Sequence, residues 1–112
     1  LLDSALPNFQ TQLDPGDGIS YVRQLRIEPL VENPRATLLQ EGVGDIVVTN
    51  PLTEALANGI GLPANRPDSA ALGIAGLWRF PPPGGHGIFG QAEVRAQAIT
   101  FLQSGGTVLP SP

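Results

Sequence analysis

Glycine and proline take 14 and 12 of the 112 positions, without any repeat period. Both interrupt regular structure, glycine through backbone freedom and proline through a fixed φ and a missing N–H. A chain punctuated this often holds short helices and strands joined by tight turns. Its composition comes close to low complexity without reaching it. Hydrophobic residues make up 41%, enough for one packed core. The length suits one small domain and falls short of a complete doubly wound α/β enzyme.

Charge narrows the function classes. Only 14% of residues are charged and the net charge is −4. Lysine is absent and six arginines are scattered singly. A nucleic-acid partner is excluded, because phosphate binding needs a cationic face. No basic amphipathic helix and no apolar run of membrane-spanning length is present. Without cysteine there is neither a disulfide framework nor a thiolate metal site. Leu1-Leu2-Asp3 has no signal-like charged start, and methionine is missing throughout. The chain therefore reads as a piece of a longer polypeptide.

Residues 1–35 form a lead-in. Pro7-Asn8 and Asp14 to Gly18 are turn chemistry, and a short helix spans about 18–26 with Asp17 as N-cap. Residues 36–62 form a strand-turn-helix unit. Ala36 to Glu41 is a short apolar run that reads as a buried strand. Gly42-Val43-Gly44-Asp45 turns out of it, and Ile46-Val47-Val48 reads as extended. Asn50-Pro51 opens a helix, with Asn50 as N-cap. Leu52, Ala55, Leu56, Gly59 and Ile60 form its inner face. Gly61 and Pro63 end it. In residues 63–112, Asn65 to Asp68 is a turn, and Leu77 to Phe80 alternates as a short strand. Pro81 to Gly85 is irregular, and a helix runs over 91–103. That helix buries Val94, Ala98, Phe101 and Leu102, and Gly105-Gly106 end it. Gln91, Glu93 and Arg95 read as its solvated face. The order is that of an α/β chain, with polar groups at the strand exits.

Two of those polar groups carry candidate chemistry. Asp45 follows a buried strand and can hold an imidazole in one tautomer. His86, the single histidine, lies between glycines and suits general base work. Taken alone, Gly-x-Gly-Asp is ordinary turn chemistry and a lone loop histidine is unremarkable. Taken together, they have the chain order of a triad's acid and base, 41 residues apart. Glu41 and Glu54 add carboxylates, but one histidine and no clustered spacing give no metal site. Gly42-x-Gly44 is too short for a dinucleotide fingerprint, so no cofactor is expected. Trp78 and Phe80 are core aromatics, with an acyl pocket as their other reading.

The stretch Gln40-Glu41-Gly42-Val43-Gly44-Asp45-Ile46-Val47-Val48-Thr49-Asn50 resembles the acid-bearing segment of α/β-hydrolases. Gly42, Asp45 and Val48 match its spacing, and Thr49 stands where proline is common. Gly85-His86-Gly87 and the helix after it resemble the family's histidine loop. Arg95 to Gly106 is similar to the last helix of large bacterial esterases of the virulence-factor lipase group. The resemblance covers residues 14 to 110 in order. It implies the C-terminal part of an α/β-hydrolase, with a doubly wound, mostly parallel sheet that is incomplete alone. It also implies an ester or lipid substrate, and a secreted or cell-envelope setting. In that setting Asp45 and His86 are the acid and base of a Ser-Asp-His triad.

None of the five serines (Ser4, Ser20, Ser69, Ser104, Ser111) lies in Gly-x-Ser-x-Gly, and no glycine-rich oxyanion loop precedes Asp45. The nucleophile is therefore expected from the remaining N-terminal part of the hydrolase, in cis or as a second chain. The 112 residues alone are expected to be inactive. With two strands predicted, one flank of the strand at 36–41 is left open. The competing reading is a stand-alone binding module without catalysis.

Overall fold

The computed structural model describes residues 17–63 and 70–112. The turn expected at Asn65 to Asp68 and the irregular stretch before Asp17 lie outside them. The molecule is a small α/β domain. A 3-10 turn, Gly18–Tyr21, leads into a short helix α1, Arg23–Arg26. Strand β1 spans Thr37–Gly42 and helix α2 spans Asn50–Ile60. Strands β2, Ala70–Leu72, and β3, Ala75–Phe80, follow. A 3-10 segment, Gly85–Gly90, and helix α3, Ala92–Gln103, complete the order.

Among the described residues the sheet has three strands in the order β1-β3-β2. β1 and β3 are parallel, in a register that sets Thr37 beside Ala75 and Gly42 beside Phe80. β2 is antiparallel to β3. The sheet is thus mixed, with one more strand than the sequence reading gave. β2 escapes that reading because its three residues are too short to show a period. Among the described residues β1 pairs on one side only and is a sheet edge.

Period-two alternation sends β1 and β3 side chains to two apolar layers. On one face Ala75 and Leu77 pack with Ala57 and Ile60 of α2, Val22 before α1, and Leu62. On the other, Phe80 packs with Ile88 and Val94, and Trp78 lies against them. Helices thus cover both faces, and both loops that leave the parallel pair emerge at one end.

Four local expectations change. α2 begins one residue earlier than a cap at Asn50 implies: Thr49 is the N-cap and Asn50 is already helical. Its apolar stripe holds in part: Leu56, Gly59 and Ile60 face the core, with Ala57 beside them. Ala57 and Ile60 are buried, whereas Leu52 is 61% exposed and Ala55 lies outside. Glu54 faces Arg79 on β3, an ion pair at 2.8 Å. Ile46-Val47-Val48 is a turn and not extended. In α3, Gln97 takes the inner position beside Val94 and Phe101, and Leu102 is 74% exposed.

Candidate active site

β1 and β3 end side by side, and the Val43 N–H donates to the Phe80 carbonyl at 2.9 Å, just past both ends. The acid turn starts there. The Asp45 N–H closes it onto the Gly42 carbonyl at 3.2 Å. Gly44 takes φ +82°, a conformation that disfavours any residue with a Cβ. The Asp45 carboxylate then divides its two oxygens. Oδ1 accepts from the N–H groups of Val47 at 2.8 Å and Val48 at 3.1 Å. These two bonds curl residues 46–48 into their turn, an Asx-type effect that overrides the β-propensity of the apolar triplet. Oδ2 is left to face the His86 ring, 3.1 Å from Nδ1.

The histidine side is built from α3 backwards. Gln91 donates to the Pro83 carbonyl at 2.7 Å. Arg95 donates to the carbonyls of Phe89 at 2.8 Å and Gly90 at 2.6 Å. Two side chains expected merely to face solvent therefore brace both ends of the loop that holds His86. Gly42 has no Cβ, and one there would strike the Gly85 carbonyl and the Ile88 side chain. That absence lets the histidine loop lie directly on the acid turn.

Electrostatics fix the roles within the pair. Burial of the Asp45 carboxyl favours its neutral form. The Val47 N–H, the His86 ring and the Val48 N–H outweigh it and hold Asp45 below the usual carboxylate range. Near neutrality Asp45 is therefore an acceptor only, so His86 Nδ1 carries the proton it shares. In the neutral ring the free lone pair is then on Nε2. The aspartate side chain is 11% exposed and the histidine 58%, so the base presents itself outward from a covered acid.

The pair opens on a cavity of about 310 Å³ whose wall also includes Gln40, Glu41, Val48, Thr53, Ile88 and Phe89. Glu41 is almost fully buried. Burial pushes its carboxyl above the usual range, against the pull of Arg79 and with the help of Glu54. Its Oε1 lies 3.4 Å from Arg79 Nε, and its Oε2 has no hydrogen-bond partner. Trp78 and Phe80 do not line this cavity: both point to the α3 face of the sheet, where Phe80 is core. Neither Ser20, Ser104 nor Ser111 lines it. Among the described residues, no three metal-ligating side chains cluster. No described helix is long and apolar enough to cross a membrane.

Asp45 and His86 were legible as candidates from their positions at strand exits. Gln91 and Arg95, which brace the histidine loop, were not, since each is an ordinary helix-surface residue in the sequence. Compared with protein-family models, curated proteins and solved structures, the chain matches none.

Proposed function

We propose that this chain supplies the acid and base of a Ser-Asp-His triad in a hydrolase of carboxylic esters, with the serine contributed from outside these residues. The observation that carries the reading is the Asp45 Oδ2 to His86 Nδ1 contact of 3.1 Å between the exits of two adjacent parallel strands. That pairing leaves Nε2 as a base aimed away from its carboxylate, the arrangement acyl-transfer triads use. A serine hydroxyl delivered beside Nε2 attacks the ester carbonyl as His86 takes its proton. His86 then passes that proton to the leaving alcohol, and Asp45 stabilises the imidazolium in between. Ester substrates, and the α/β-hydrolase setting with its bacterial lipase relatives, rest on the resemblance of residues 40–50 and 85–106. The remaining part of the enzyme, in cis or as a second chain, is the partner this reading requires.

The test starts from the coding sequence upstream of Leu1. A reading frame that continues into Gly-x-Ser-x-Gly after a strand supports the proposal. In the longer protein, Asp45→Asn should then lower ester turnover by about 10⁴-fold and His86→Ala by about 10⁶-fold. A start signal with no serine elbow in frame, and no serine-bearing partner on co-purification, would sink it.

A further inference from the structure

The acid turn is held from behind by a side chain that hydrogen-bonds to neither member of the pair. Asn50 Nδ2 donates to the Gly42 carbonyl at 2.8 Å, and Asn50 Oδ1 accepts from the Gly44 N–H at 2.9 Å. Both bonds run back eight and six residues to the turn. They do not serve the start of α2, where Thr49 is the N-cap. One planar amide thus grips the two peptide groups that precede Asp45, with a donor for the carbonyl and an acceptor for the N–H. No other short side chain offers both polarities at this span. Aspartate would set an oxygen against the Gly42 carbonyl, and alanine would leave both groups without their partner.

We propose that Asn50 is a positioning residue, which fixes the Gly42–Asp45 turn so that the Asp45 carboxylate meets His86 Nδ1. This rests on the triad reading above. The Gly42 carbonyl is a shared anchor: it receives Asn50 Nδ2 and also the Asp45 N–H. Without Asn50, peptide 43–44 is free to rotate and carries Asp45 with it. An N···O contact of 3.1 Å has little room to lengthen before the hydrogen bond is lost. A misplacement of about 1 Å in a catalytic array costs on the order of 10²-fold in rate.

The 112-residue chain contains one histidine, so its imidazole ¹⁵N signals belong to His86 alone. The experiment compares the tautomer ratio of the neutral ring in the wild-type chain, Asn50→Ala, Asn50→Asp, Thr49→Ala and Asp45→Asn. In the wild type the charge-assisted bond to Asp45 should favour the Nδ1–H form roughly tenfold. Both Asn50 variants should lose most of that preference, and Thr49→Ala should keep it. Asn50→Asp puts an acid in the first turn of α2, which favours the helix. It also keeps an acceptor for the Gly44 N–H, so its melting temperature should fall less than that of Asn50→Ala while its tautomer preference falls as far, which a merely structural role for Asn50 would not produce. If Asn50→Asp keeps the wild-type ratio while Asp45→Asn abolishes it, the proposal is overturned and the triad reading stands. If Asp45→Asn itself leaves the ratio unchanged, the acid–base pair is absent and both readings fall.

Discussion

Glu41 and Arg79 stand directly opposite one another in the parallel pair, one residue before β1 and β3 end. Arg79 also reaches Glu54 on α2 at 2.8 Å, so one guanidinium joins two strands and a helix beneath the acid and histidine loops. The arginine side chain is 7% exposed and that of Glu41 is 3% exposed. Breaking such a buried pair from one side strands the other charge. Arg79→Met should therefore destabilise the chain by about 3–5 kcal/mol near pH 8, read from urea unfolding. The double variant Arg79→Met with Glu41→Leu should recover much of that loss, because no charge then stays buried. A cost for the double variant equal to that of the single would show that Arg79 acts by packing and not by charge.

Glu41 and Asp45 are four residues apart and should give stability opposite pH dependences. Burial raises Glu41 above its ordinary value of 4.5. The folded state then holds that proton more tightly, so the stability it contributes is complete below 4.5 and is lost as pH rises through the folded value. Asp45 is held below its ordinary value of 3.8, so its contribution is present above 3.8 and is lost as pH falls through the folded value. Urea midpoints measured from about pH 3 to 8 should therefore decline on both sides. Glu41→Gln should flatten the decline above 4.5 and leave the acid limb in place. Asp45→Asn should do the reverse. An upper limb that survives Glu41→Gln would assign it to another group.

The two glycines that frame the acid turn should fail for different reasons when each becomes alanine. At Gly44 there is open space but a φ of +82°, so the cost is backbone strain of about 1–2 kcal/mol. At Gly42 the new methyl meets the Gly85 backbone and lies 2.5 Å from Ile88 Cγ2. The histidine loop must lift for it to fit. Overpacking of this kind costs about 2–3 kcal/mol and should also separate His86 from Asp45. Gly42→Ala should thus be the more damaging in urea unfolding, and it alone should shift the loop amides of residues 85–90. Equal costs with unmoved loop signals would contradict the close approach.

Where local chemistry decides, the sequence was readable. Pro34 and Gly42 bracket β1, Gly61 stops α2 in a left-handed C-cap, and Gly105-Gly106 follow α3. The strand-exit positions of Asp45 and His86 follow from those boundaries. What the sequence hid depends on partners far along the chain. The apolar stripe of α2 includes Leu52 and Ala55, yet these lie outside, while Glu54 between them pairs with Arg79 from 25 residues away. Ile46 to Val48 have strand composition, but two hydrogen bonds to Asp45 Oδ1 curl them. Asn50 has the profile of a cap, but its amide finds the acid turn instead.

Gln97 is the same kind of case and gives a test of its own. It is 2% exposed on the inner seam of α3, where an apolar residue is expected. Its amide is occupied on both sides: Oε1 accepts from Gln40 Nε2 at 2.9 Å, and Nε2 donates to the Pro110 carbonyl at 2.9 Å. Gln40 in turn donates to the Val94 carbonyl, so the chain of bonds ties β1, α3 and the C-terminal tail together. Gln97→Leu keeps the volume roughly and removes both bonds. Gln40 retains Val94 as an acceptor, whereas the Pro110 carbonyl loses its donor. Leaving one half-buried acceptor unsatisfied costs about 1–3 kcal/mol, partly offset by the added apolar contact. The expected net loss is about 1 kcal/mol in urea unfolding. The local effect should be sharper: the Val108 amide, bonded to Ser104 Oγ at 3.0 Å, should exchange faster, and the tail should become open to proteolysis while the amides of α3 stay protected. Unchanged tail exchange would mean that the Pro110 carbonyl is served by water and that Gln97 ties β1 to α3 alone.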